Sequence, residues 1–171
     1  MIGELLKYII PALIVLGATW LVLGKMLKEE RQKREYELRR QDRTNTIPMR
    51  LRGYERLALL LERITPEHML MNTDFSGMTM QDLQRQLLQT VRLETDHNLS
   101  QQIYVGDEVW QAVMLAKEET LNFINAVALQ MPKESSAMQY AQTLLTAYAN
   151  NGETPTQRAL HLLKEEARKL I

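Results

Sequence analysis

From Met49 onward the apolar residues recur at intervals of three and four, and no useful length of chain alternates with period two. That spacing lines one face of a helix, whereas a half-buried strand needs every second residue. Leu51, Tyr54, Leu57, Ala58, Leu61 and Ile64 make one such face, and Met80, Leu83, Leu87 and Val91 a second. Val109, Val113, Ala116, Thr120, Ile124, Val127 and Met131, widened by Trp110 and Leu121, make a third. Ala137, Ala141, Leu144, Leu145 and Tyr148 give a fourth, and Ala159, Leu160, Leu163, Ala167 and Leu170 a fifth. Ile103-Tyr104-Val105 is the β-branched cluster, too short for a sheet. The chain is therefore predicted to be all-α, with a bundle of about five helices in residues 47–171.

Local spelling places the helix starts. Thr65-Pro66 combines a cap with a proline at the first helical position and opens a short turn ending near Asn72. Thr79 with Asp82 resembles a capping box, Asp107 caps the long helix, Ser135 or Ser136 caps the next, and Thr154-Pro155-Thr156-Gln157 restarts the last. The polar run Arg43 to Ile47, followed by Pro48, reads as a break between a charged helix and the domain that follows. The last two helices look like a tetratricopeptide-type hairpin, without a second copy at that period.

Ahead of this lies Tyr8–Gly24, an uncharged run of 17 residues bracketed by Lys7 and Lys25. A bilayer core of about 30 Å needs roughly 20 apolar residues in a helix. Leu5, Leu6, Met26 and Leu27 extend the run if the lysines snorkel to the interface. The expectation is one transmembrane helix, preferred over a cleaved signal peptide, since no small-x-small cleavage site precedes a mature-looking start. Lys25, Lys28, Arg31, Lys33 and Arg34 follow the run, against Lys7 alone before it. The excess of positive charge on that side puts the amino terminus outside and residues 25–171 in the cytoplasm, at the inner membrane. Three parts follow: residues 1–24 as anchor, 25–46 as a basic juxtamembrane helical stalk and 47–171 as a soluble helical domain.

Charge divides unevenly although it sums to zero. Residues 25–52 carry ten Lys/Arg against five Asp/Glu, and residues 53–171 ten against fifteen. Lys25, Lys28, Arg31, Lys33 and Arg34 are the residues expected at the membrane surface. Contact of the stalk with RNA or the ribosome is disfavoured by the interleaved Glu29, Glu30, Glu35 and Glu37. Gly17 and Gly24, seven apart, share a helix face and leave homo-oligomer formation open.

No catalytic, cofactor-binding or metal-ligating set is expected. Asp96, His97 and Ser100 are the local nucleophile-type group, but neighbouring helical residues point about 100° apart and no strand-turn-helix elbow surrounds them. Amide and imidazole groups there serve better to satisfy backbone groups at a tight connection. Met69, Met71, Met78 and Met80 beside His68 could offer soft ligands to copper, yet flexible methionines more often fill cores or adaptable grooves. His68, His97 and His161 lack zinc spacing. The candidate partner surface is Met69, Met71, Phe75 and Met78 in the methionine loop, with His97, Asn98, Gln101, Gln102, Tyr104 and Trp110 in the later connection.

The stretch His97-Asn98-Leu99-Ser100-Gln101-Gln102-Ile103-Tyr104-Val105 followed by Trp110, with the apolar run and charged stalk before it, resembles an uncharacterised family of bacterial single-pass membrane proteins. The resemblance spans nearly the whole chain and implies an anchored helical architecture without implying an activity. The function expected is a membrane-tethered helical scaffold that recruits a protein partner. The alternative is a membrane-bound enzyme acting on lipid or envelope precursors, and a weaker one is ribosome or RNA contact.

Overall fold

The computed structural model describes the backbone of residues 2–170 and the side chains of residues 16, 17, 19–34, 37 and 46–170. Among the described residues the regular elements are helices: α1 (Ile2–Arg63), α2 (Pro66–Met71), α3 (Met80–Asp96), a 3₁₀ turn (Leu99–Ile103), α4 (Asp107–Leu129), α5 (Ala137–Ala149) and α6 (Pro155–Arg168). The chain divides into two compact units, residues 1–46 and 47–171.

The expected transmembrane span is corrected. Among the described residues no helix is long and apolar enough to cross a membrane. The physical reason is length and the charge that follows. The uncharged run Tyr8–Gly24 would cover about 26 Å at 1.5 Å per residue, short of a bilayer core of about 30 Å, and Lys25, Lys28 and Glu29 come directly after it. Part of the run, residues 8–15 and 18, has side chains outside the described residues. The single-pass architecture, the inner-membrane localisation and the outside-to-cytoplasm topology fall with the span. In this first unit Leu16, Trp20, Leu21, Val22, Leu23, Met26 and Leu27 are exposed. So are Lys25, Lys28, Arg31, Lys33 and Arg34, and Arg34 Nη2 donates to Glu30 Oε1 one turn back at 3.0 Å.

The expected break at residues 43–48 is also absent. Pro48 lies inside α1, where it removes one N–H from the helical ladder without ending it. Strong helix formers on both sides carry the helix through.

In the second unit the end of α1 contributes Tyr54, Leu57, Leu60, Leu61 and Ile64 to a buried core. Met80, Leu83, Leu87 and Val91 from α3 join them, at the spacing that their sequence dictates. The long helix α4 is central and packs on α3, α5 and most extensively on α6. Its buried face is Val109, Val113, Ala116, Thr120, Leu121, Ile124, Val127 and Ala128. Gly106 rather than Asp107 caps it, and Asp107 is its first helical residue. From α5 come Ala137, Tyr140, Ala141 and Leu144, and from α6 Thr156, Ala159 and Leu163. Tyr140 is fully buried because its hydroxyl finds a partner, donating to the Ile124 carbonyl at 2.7 Å.

Capping boxes start three of these helices, Thr79 with Asp82, Ser136 with Gln139 and Thr154 with Gln157. Each satisfies backbone N–H groups that a helix start leaves unpaired, and each contributes about 1 kcal/mol.

Candidate functional site

The candidate site is an apolar groove on the second unit, walled by α2, the α2–α3 loop and α5. Thr65 accepts from the His68 N–H and starts α2. Asn72 Nδ2 donates to the His68 carbonyl at 2.7 Å, and Thr73 Oγ1 donates to the Met69 carbonyl at 2.8 Å, which closes the helix after one and a half turns. The loop then folds on itself. Asp74 Oδ1 accepts from the Ser76 N–H at 3.0 Å, and Gly77 takes φ +77°, a left-handed conformation that favours glycine. This tight path presents Phe75 and Met78 half-buried rather than sinking them in the core.

A single antiparallel bridge between Thr79 and Ser136 sets the N-cap residues of α3 and α5 side by side. The loop thereby lies against α5. Phe75, Met78, Ala137 and Met138 line a hollow of about 540 Å³. It adjoins a groove of about 640 Å³ lined by Leu70, Met71, Phe75, Met138, Leu145 and Tyr148, among others. Met71 is 80% exposed, Met138 55% and Leu145 38%. The charged residues lining the two hollows are Glu67 and Asp74, and no Lys or Arg lines either. The Ser76 N–H holds the Asp74 carboxyl below the usual carboxylate range, so it is ionised near neutrality.

The connection between α3 and α4 builds a different arrangement, a polar clasp. Glu166 Oε1 accepts from the Tyr54 hydroxyl at 2.5 Å and from the Gly106 N–H at 2.7 Å. Arg50 Nη2 lies 3.6 Å from the same oxygen and donates to the Tyr54 hydroxyl at 3.0 Å. Arg50 Nε donates to the Tyr104 carbonyl at 3.0 Å. Two glycines allow the close approach: a Cβ on Gly106 would meet Glu166 Oε2 at 2.8 Å, and one on Gly53 would meet the Tyr104 Cβ at 2.8 Å. Burial, followed by the bond to Glu166, pushes the Tyr54 phenol up to about 12. The phenol stays protonated and can keep donating.

The sequence-derived partner surface separates into these two places. Met71, Phe75 and Met78 line the grooves, while Met69 is buried in the core. Met80, from the same methionine cluster, is buried as well. Asn98 and Gln101 are buried, His97 and Gln102 exposed, and Tyr104 and Trp110 half-buried. Asn98 Nδ2 donates to the Glu94 carbonyl at 2.8 Å, closing the end of α3, and Gln101 Nε2 donates to Ser100 Oγ at 3.2 Å. The 17 residues of α3 separate the methionine loop from this connection by roughly 24 Å. They are two ends of a helix, not one surface. Met138, Leu145 and Tyr148 complete the groove and were not among the expected surface residues. Their signal is in the sequence of α5, AMQYAQTLLTAYA, which is apolar on more than one face.

Residues 1–170 match the model of a family described as "Family of unknown function (DUF7935)", and the chain belongs to that family. This agrees with the resemblance to an uncharacterised family. No curated protein and no solved structure matches the chain.

Proposed function

We propose that this member of a family of unknown function is a protein-recruiting helical module that acts by holding a partner. The observation that supports the reading is the groove beside α5, where Met71, Met138 and Leu145 stand exposed around half-buried Phe75 and Tyr148. Contiguous exposed apolar surface costs solubility and is often a binding site. Methionines give such a surface many rotamers of similar energy, so it can adapt to a partner. The two rings in the lining supply rigid area, and aromatic rings carry much of the energy of many interfaces.

The test uses the full-length chain in its own cells, with a photo-crosslinking residue in place of Met138. Purification and mass spectrometry should yield one defined adduct, and the added change Leu145→Asp should abolish it with helical content unchanged. Recovery of the protein without an adduct, or an adduct indifferent to Leu145→Asp, would refute the groove as the recruiting surface.

A further inference from the structure

We infer, resting on the recruitment reading, that the occupant of the groove is a basic amphipathic helix of another protein. The walls select a helix. Among the described residues there is no strand, only the Thr79–Ser136 bridge, so no sheet edge is offered to an extended peptide. The long wall, α5, already bonds its own backbone. An occupant must therefore satisfy its own N–H and C=O groups, which a helix does. Met138, Gln142, Leu145 and Ala149 line the groove at steps of four, three and four. That stripe runs about 16 Å, three helical turns, and matches anchors at i, i+3 or i+4, and i+7 on a facing helix.

Charge selects the sign. Glu67 and Asp74 stand at the lining with no lysine or arginine beside them. Residues 53–171 as a whole carry ten Lys/Arg against fifteen Asp/Glu. Lysines or arginines flanking the apolar anchors would meet these two carboxylates. Glutamates in the same places would face like charges.

The experiment measures fluorescence anisotropy of labelled peptides on the full-length protein. One peptide is an amphipathic helix of leucines and lysines about five turns long, the other the same sequence with glutamate for lysine. The lysine peptide should bind at least about tenfold tighter than the glutamate peptide, with the gap shrinking as salt is raised. The double change Glu67→Lys with Asp74→Lys should close or invert the gap. Asp96→Lys, at the other end of α3, should leave it unchanged, which separates the groove from the general acidity of the unit. Met138→Asp should weaken the lysine peptide by about tenfold or more.

Equal binding of both peptides, with both lost in Met138→Asp, would overturn the charge selection and leave recruitment by the groove standing. Binding of neither peptide, or binding indifferent to Met138→Asp, would overturn this inference. It would also count against the groove if the crosslinking test fails. Dimers of the protein that the lysine peptide disperses would place a second copy of the chain in the groove and overturn a foreign partner.

Discussion

Removing the carboxylate of the polar clasp, by Glu166→Ala, should cost the second unit about 1.5–3 kcal/mol. The figure follows from what the carboxylate holds. One oxygen accepts from the Tyr54 hydroxyl at 2.5 Å and the Gly106 N–H at 2.7 Å, with Arg50 at 3.6 Å. Hydrogen bonds to an ionised acceptor each contribute roughly 1.5–3 kcal/mol when shielded. The Glu166 and Arg50 side chains are 23% and 34% exposed, so water replaces part of what is lost and the two bonds together are discounted by about half. Tyr54 is buried, and its hydroxyl would be left facing an empty site. Tyr54→Phe removes one donor but leaves Glu166 its other partners, and should cost about 1 kcal/mol. The double variant should cost less than the sum by roughly 1 kcal/mol, because the two changes break one shared bond. Urea titrations followed by far-UV circular dichroism would measure all three, and the melting temperature of the Glu166→Ala protein should fall by roughly 5–12 °C. A Glu166→Ala cost below about 0.5 kcal/mol, or strict additivity of the pair, would refute the clasp as a cooperative unit.

Other expectations follow from the same geometry. The Tyr54 phenol titrates near 10 in the unfolded chain and near 12 in the folded one, so its stabilising contribution is complete below pH 10. That contribution is lost as pH rises from 10 through 12, about 2–3 kcal/mol at the limit, and urea midpoints across this range should show a shallower fall in Tyr54→Phe. Burial raises the Tyr140 phenol in the same direction, so Tyr54→Phe should not abolish the alkaline limb. Gly53→Ala should destabilise by about 1–2 kcal/mol despite better helix propensity, since the new Cβ would meet the Tyr104 Cβ at 2.8 Å; a gain in melting temperature would contradict this packing. Leu144→Ala, in the fully buried face of α5, should cost about 2–4 kcal/mol by denaturant titration, whereas Leu145→Asp on the groove side should cost no more than about 1–1.5 kcal/mol.

Sequence spacing resolves what is local and loses what is distant. The boxes at Thr79 and Thr154, and the buried face of α3, depend on residues three or four apart, and both are where periodicity and cap spelling put them. Asn98 and Gln101 stand among the candidate surface residues, but the polar stretch around them reads first as serving a tight connection, and Asn98 does close its own helix end. Leu145 and Tyr148 looked inward because α5 is apolar on two sides, and one-dimensional spacing cannot say which side meets the core. Tyr140, with its polar tip, went uncounted and lies at the centre of the packing. Pro48 read as a helix start, although helix-forming neighbours on both sides outweigh one missing N–H. The clasp was illegible altogether, since Arg50, Tyr54, Tyr104, Gly106 and Glu166 share no interval that any periodicity reports.

That separation has a kinetic meaning. The Tyr54–Glu166 bond spans 112 residues, whereas the cap and hairpin contacts around α5 and α6 close within a few. Loops this long are closed only after shorter ones have repaid their own ordering entropy. The clasp is therefore expected to form late in folding and to open early in unfolding. Its loss should raise the unfolding rate while leaving the refolding rate nearly constant. Glu166 would then govern how long the folded unit lasts more than how quickly it forms.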